Sequence, residues 1–191
     1  MKKYALISVY NKDNLSDLAH ALVENNYTII ATDGTGRELN KYGVEFTPAN
    51  KVTNNPNILK DCIQTISFNI ESGILFNRDD TTHTKDIERY NIKSIDIVVC
   101  NFAKINETVL KIDDFSIKNV DLGGPLMIKA AAINYKYTIP VVDPADYNIV
   151  IDILKNGATL DQRISFAKKA FNFISDYDKG LSQYLNSVLS A

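Results

Sequence analysis

Asp121 followed by Gly123, Gly124 and Pro125 is the most chemically suggestive spacing in this 191-residue chain, because it sets a carboxylate and paired glycines ahead of an alanine-rich stretch running to Asn134. Proline is tolerated in a first helical turn, where its missing N–H would have had no helical partner. Glycines ahead of a helix let backbone N–H groups approach a ligand closely, at the helix end whose dipole favours an anion. A carboxylate in that position can cap the helix or handle a proton. Two other stretches carry ligand-type side chains, Ser8-Val-Tyr-Asn-Lys12 and Thr32-Asp-Gly-Thr35. Hydroxyls and N–H groups that converge on a Ser/Thr-Gly turn suit a phosphate or carboxylate, and Lys12 would add a charge-assisted bond. Asn101 closes a further apolar run and offers an amide at its end.

The elements that must position these groups read as strand alternating with helix. Tyr4–Val9 is expected as a strand, followed by a helix from about Asn14 with Leu15, Leu18, Ala19, Leu22 and Val23 at helical spacing. Tyr27–Ala31 reads as a second strand, Thr32–Gly36 as a turn, Arg37–Lys41 as a short helix and Val44–Thr47 as a third strand. Ile95–Cys100 and Thr138–Val142 are further strands, with a helix beginning near Pro144. Leu160–Leu189 is a long amphipathic helical stretch with Ile164, Ala167, Phe171, Ile174, Tyr177 and Leu181 on one face, and the polar stretch Asn77–Lys85 is expected as a mobile loop. Strands separated by helices imply right-handed crossovers and a mostly parallel α/β sheet flanked by helices, with ligands at the carboxyl ends of the strands. The expected organisation is a single domain over 1–191, with a sheet core to residue 155 and a helical part from 158.

Composition narrows the function classes. Hydrophobic residues are 45%, charged residues 23% and the net charge is -2, a soluble globular profile without the basic excess that nucleic-acid binding requires. No apolar run approaches the ~20 residues of a membrane span. Cys62 and Cys100, with His20 and His83, make no metal-ligand spacing, and neither histidine is given a catalytic role. The expectation is reduced thiols, a cytoplasmic protein, and neither cofactor nor metal.

The stretch Asn119–Asn134 resembles the I-D-I-G-G-x-x-x-[IL]-R-A-A-A-K-N segment of the IMP cyclohydrolase domain, the amino-terminal half of the bifunctional enzyme that ends purine nucleotide synthesis. The resemblance runs essentially end to end. Ile7–Leu15 is similar to the family's I-S-V-S-D-K-x-G-L, Ala31–Thr35 to its [AS]-[ST]-G-G-T, Val98–Asn101 to its V-V-x-N, and Val141–Tyr147 to its V-V-D-P-x-D-Y. Arg163–Asp178 is similar to R-x-x-L-A-x-K-A-F…Y-D. What this implies is a methylglyoxal-synthase-like α/β fold. Ser8, Lys12, Thr32, Gly34 and Thr35 would hold a ribotide phosphate. Gln64, Thr65, Asn101, Asp121 and Gly123 would lie along the ribose and base. The implied reaction closes the purine six-membered ring: a carboxamide nitrogen attacks a formamido carbon and water leaves. The implied partners are a small purine nucleotide or ribotide, a separate formyltransferase protein and a second copy in a homodimer, with no nucleic acid and no membrane.

The chain departs from the family in its sharpest motif, R-V-K-T-L-H-P-x-[IV]-H, which stands here as Cys62–Glu71. Arginine becomes Cys62, lysine Gln64, and the two histidines Ser67 and Glu71; the tyrosine of N-L-Y-P-F becomes Ala103, and the lysine of A-A-A-K-N becomes Ile133. Of the family's catalytic set, two lysines, a tyrosine and an aspartate, Asp121 alone is retained. Gln64 can still donate a neutral hydrogen bond, and Lys104 stands one position beyond the missing tyrosine. The reading is therefore a divergent cyclohydrolase-type enzyme. The alternative is a non-catalytic nucleotide-binding or regulatory domain of the same fold, like the effector domain of carbamoyl phosphate synthetase. Methylglyoxal synthase itself draws only on Thr32–Gly36.

Overall fold

The computed structural model describes residues 2–56, 63–103 and 120–189. Its sheet contains β1 (Lys3–Val9), β2 (Tyr27–Ala31), β3 (Thr47–Pro48), β4 (Ile95–Asn101) and β5 (Ile139–Val141), in the order β3-β2-β1-β4-β5. Every pairing is parallel. The helices are α1 (Leu15–Glu24), α2 (Asp33–Lys41), α3 (Ala49–Thr53), α4 (Phe68–Leu75), α5 (Thr81–Arg89), α6 (Gly123–Ile133), α7 (Tyr147–Asn156) and α8 (Leu160–Leu189). This is the three-layer α/β arrangement that the resemblance implies.

A parallel strand covered by helices on both sides needs apolar residues at every position rather than at alternate ones. β1 and β4 meet that need: Leu6, Val98 and Cys100 point into one layer with α3, α4, α6 and α8, while Ala5, Ile7, Val9, Ile97 and Val99 point into the other with α1, α2 and α7. The one charge inside β4, Asp96, lies near its amino end, away from the strand tips that gather ligands. Arg78 donates to its Oδ1 at 3.1 Å, and the Tyr4 N–H reaches its Oδ2.

Several expectations are corrected. Asn77–Lys85 is not a loop throughout, because Asp80 accepts the Thr82 and His83 N–H groups at 2.7 and 3.2 Å and starts α5 at Thr81. An acceptor at the N-cap satisfies donors that an exposed polar string would leave to water. The turn after β2 is shorter than expected, and α2 begins at Asp33. The third strand is reduced to Thr47–Pro48. On α8 the buried face is Phe166, Ala167, Ala170, Ile174 and Tyr177, whereas Ile164 and Phe171 are 45% and 42% exposed. The neighbouring positions 166 and 170 face the sheet instead, a small rotation that hydrophobicity alone does not resolve when both faces carry apolar residues.

Asn134, the last residue of the string that carries the resemblance, is a structural clamp. Its Nδ2 donates to the carbonyls of Ile74 at 2.6 Å and Phe76 at 3.2 Å, tying the end of α6 to the end of α4.

Candidate functional site

The tips of β1 and β2 lie side by side because register pairs Ile7 with Ala31, and β4 brings Asn101 opposite Val9 on the other flank. From these tips the chain turns into α1 and α2. The Thr32 hydroxyl, whose backbone is extended and which makes no side-chain cap to α2, donates to Ser8 Oγ at 3.2 Å and lies 3.4 Å from Thr35 Oγ1. Thr35 is buried and its Oγ1 accepts the Val9 N–H at 2.9 Å. The hydroxyls of Ser8 and Thr32, at two adjacent strand tips, thus meet that of Thr35 in the first turn of α2. The first-turn N–H groups of Gly34 and Thr35 belong to the helix end where an anion is favoured. Among the described residues no side chain caps them.

Lys12 stands beside this cluster without a hydrogen bond to it among the described residues. Its Nζ donates to the Tyr10 carbonyl at 3.1 Å, while its charge helps hold the Glu38 carboxyl on α2 below its ordinary range, behind the larger effect of Lys41. Asn101 is committed to the same loop. Its Oδ1 accepts the N–H groups of Tyr10 and Asn11 at 2.9 and 2.7 Å, and its Nδ2 donates to the Asn11 carbonyl. Lys12 and Asn101 line a cleft of about 800 Å³ between this loop, the end of β5 and α8, with Phe102, Asp143 and Lys169 on its walls. Lys169 is neutralised there by Asp143 and Asp146, each at 2.7 Å.

A second group of expected residues forms around the start of α6. The Gly124 N–H donates to Asp121 Oδ1 at 2.8 Å, so the carboxylate caps the helix. Its backbone N–H donates to the Tyr177 hydroxyl, also at 2.8 Å. Partial removal from water pushes the Asp121 carboxyl upward, against the pull of the Gly124 and Gly123 N–H groups, and among the described residues no cation acts on it. Thr65 is buried against Gly123 so closely that a Cβ there would collide with Thr65 Oγ1. Gln64, next to Thr65 in the chain, is half-buried.

Other positions singled out from the sequence have different settings. Ser67 caps α4 by accepting the Ile70 N–H at 3.1 Å. Ile133 is 60% exposed. Cys100 is fully buried, and burial, followed by the nearby Asp121 charge, pushes its thiol far above the range of a reactive thiolate. His20 contacts the Ser16 carbonyl and His83 accepts the Asn77 N–H, both at exposed positions. Cys62 and Lys104 lie outside the described residues. Among the described residues no three His, Cys, Asp or Glu side chains converge as a metal site, and no helix is long and apolar enough to cross a membrane.

Two features escaped sequence reasoning. Tyr177 reaches Asp121 across 56 positions of chain, which no local pattern signals. Glu71 is the other: both its carboxylate oxygens are buried and, among the described residues, have no hydrogen-bond partner, and burial raises its carboxyl from 4.5 to about 7. Its place in an apolar helical stretch was the available clue.

Comparison with known proteins bears on this arrangement. Residues 14–121 match the model of the MGS-like domain, and residues 131–191 that of the AICARFT/IMPCHase bienzyme. The bifunctional purine biosynthesis protein PurH of Caldicellulosiruptor bescii is 41% identical over 98% of this chain. That of Anoxybacillus flavithermus is 40% identical over 99%. The chain spans 38% of the length of each of these relatives. The crystal structure of ForH superposes with a TM-score of 0.85 at 28% identity, over 95% of this chain and 97% of that one.

Proposed function

This chain belongs to the MGS-like domain family and matches the AICARFT/IMPCHase bienzyme model through residues 131–191, and on that premise we propose that it closes the six-membered ring of formamido-imidazole-carboxamide ribotide or of a related ribotide. The observation that carries the proposal is the meeting of the Ser8, Thr32 and Thr35 hydroxyls at the start of α2. A phosphate fits that place because its oxygens accept from hydroxyls and helix-terminal N–H groups together. In this reading Ser8, Thr32, Gly34 and Thr35 hold the ribotide phosphate and Lys12 adds positive charge. Gln64, Thr65 and Gly123 border the ribose and base, and Asn101 shapes the loop that carries Lys12.

Asp121 is the acid–base residue of the proposal. As the carboxamide nitrogen attacks the formamido carbon, a C–N bond forms and the nitrogen sheds a proton to the carboxylate. That proton passes to the former carbonyl oxygen, making a hydroxyl. The formamido N–H then gives up its proton through the same carboxylate to this hydroxyl as the ring C=N bond forms and the C–O bond breaks, so water leaves and the carboxylate ends as it began. Although Asp121 lies at an exposed position, desolvation of its carboxyl raises it above the ordinary range, which suits a two-way role. Positioning the two reacting groups supplies the rest of the acceleration. The replacement of the family's cationic and phenolic positions by Gln64, Ala103 and Ile133 implies a slower reaction or a different ring substituent. A formyltransferase, on the same or another polypeptide, supplies the formamido group, and a homodimer is the proposed assembly.

One observation favours a second reading, a non-catalytic nucleotide-binding domain: among the described residues no cation acts on Asp121, while the hydroxyl cluster is intact. Purified protein incubated with the formamido ribotide and followed by absorbance separates the two. Product formation above the uncatalysed rate is expected; its absence together with a thermal shift by purine ribotides selects the binding reading. A ligand at about 100 times its Kd adds about 2.7 kcal/mol to stability.

A further inference from the structure

Building on the ring-closure reading, we infer that Tyr177 of α8 is the positioning residue of Asp121, holding its backbone so that the carboxylate faces the candidate site in one pose. Asp121 is anchored from two separate elements. On one side its N–H donates to Tyr177 Oη at 2.8 Å. On the other, its Oδ1 accepts the Gly124 N–H at 2.8 Å. Either bond alone leaves the residue a free rotation, whereas the pair restricts backbone and side chain together.

The phenol itself cannot shift easily. Tyr177 is 6% exposed and its ring meets that of Phe102 edge-on, with centroids 4.5 Å apart and planes at 68°. Phe173, one turn earlier on α8, packs on the other side of Phe102 at 4.6 Å. Phe102 is fitted in turn to the glycine turn, since a Cβ on Gly124 would come within 2.9 Å of its ring. Phe102 directly follows β4, so the end of the sheet, the start of α6 and the middle of α8 converge on this one aspartate. Through its bond to the Asp121 N–H, Tyr177 acts on that residue's backbone.

Substituting Tyr177→Phe removes the hydroxyl and keeps the ring in its aromatic cluster. Tyr147→Phe is the matched control, since it deletes another buried phenol oxygen, one without a hydrogen-bond partner among the described residues. Asp121 is read by NMR, through the exchange rate of its amide and the titration midpoint of its carboxyl, and turnover is read with the formamido ribotide. In Tyr177→Phe the amide is expected to exchange at least about 10-fold faster, the scale of one lost hydrogen bond. The carboxyl midpoint is expected to move, and kcat to fall by about 10-fold with KM within about twofold. Tyr147→Phe should leave the amide and the midpoint unchanged.

An unchanged amide and midpoint in Tyr177→Phe overturn the inference, as do equal changes in both variants, which would mark a general loss of packing. The unmodified protein gives a check that needs no variant, because an Asp121 amide exchanging as fast as unprotected loop amides overturns it too. Absence of turnover in the unmodified protein refutes the ring-closure reading alone, and the two NMR measurements still decide the role of Tyr177.

Discussion

The side chain of Asn101 grips the backbone of Asn11 from both directions, accepting its N–H at 2.7 Å and donating to its carbonyl at 3.2 Å. With the Tyr10 N–H on the same oxygen, this amide joins the end of β4 to the loop leaving β1, the loop that carries Lys12.

Asn101→Ala should therefore act at a distance. It strips the Asn11 N–H and carbonyl of their side-chain partner in a partly buried setting, while the Tyr10 N–H keeps the Asn101 backbone carbonyl, and is expected to cost about 1–3 kcal/mol in urea denaturation. Affinity for a phosphate ligand should drop along with stability, because Lys12 loses its fixed starting point. A variant as stable as the parent would show that the loop holds itself.

Thr35 offers a test of the hydroxyl cluster. Its Oγ1 is the acceptor for the Val9 N–H, so Thr35→Val leaves a buried donor unpaired at nearly constant volume. The expected loss is about 1–3 kcal/mol, and Thr35→Ser, which retains the oxygen, should recover most of it. Calorimetric titration with a ribotide monophosphate should show weakened binding in the valine variant.

Gly123 and Thr65 should show strong coupling. A methyl on Gly123 collides with Thr65 Oγ1, so Gly123→Ala is expected to destabilise by about 1–3 kcal/mol, the usual cost of overpacking. Adding Thr65→Ala to it should restore part of that loss. A double-mutant cycle with no interaction energy would place the strain elsewhere.

The pH dependence should reveal Glu71. Its carboxyl is raised from 4.5 to about 7 in the folded protein by burial, so folding favours the protonated form. The associated stability is fully present below about 4.5 and is lost as pH rises through about 7. Glu71→Gln should therefore match the parent near pH 4 and exceed it at pH 8, by on the order of 2 kcal/mol once partial solvent access is allowed for. Equal stability of the two proteins at pH 8 would refute the burial account.

Much of the fold was legible in the chain. Apolar runs at Tyr4–Ile7 and Ile97–Cys100 fit a sheet covered on both faces, and the helical spacing of Leu15, Leu18 and Leu22 supplies one of the covers. The hydroxyl loops were legible for a similar reason: Ser8 and Thr32 each follow a strand, and strand tips in a parallel sheet face the same way. The rotation of α8 was not legible, since Ile164 and Phe171 are as apolar as the Phe166 and Ala170 that packing selects. Nor was the start of α5, because Asp80 looks like any loop acid until its oxygen is seen to take two N–H groups.

By itself the sequence determined the order of the strands and of α1, α2, α6, α7 and α8, the residue types available at each strand tip, and the family to which they belong, because periodicity and local motifs are properties of neighbours along the chain. Only the tertiary structure decided that Ser8, Thr32 and Thr35 share one cluster, that Asn101 is spent on the loop of Asn11, that Asp121 leans on Tyr177, and that Glu71 is buried with no partner among the described residues. Those outcomes depend on register and burial across tens of residues, and a hydrogen bond or a desolvated charge exists only when folding brings its two sides together.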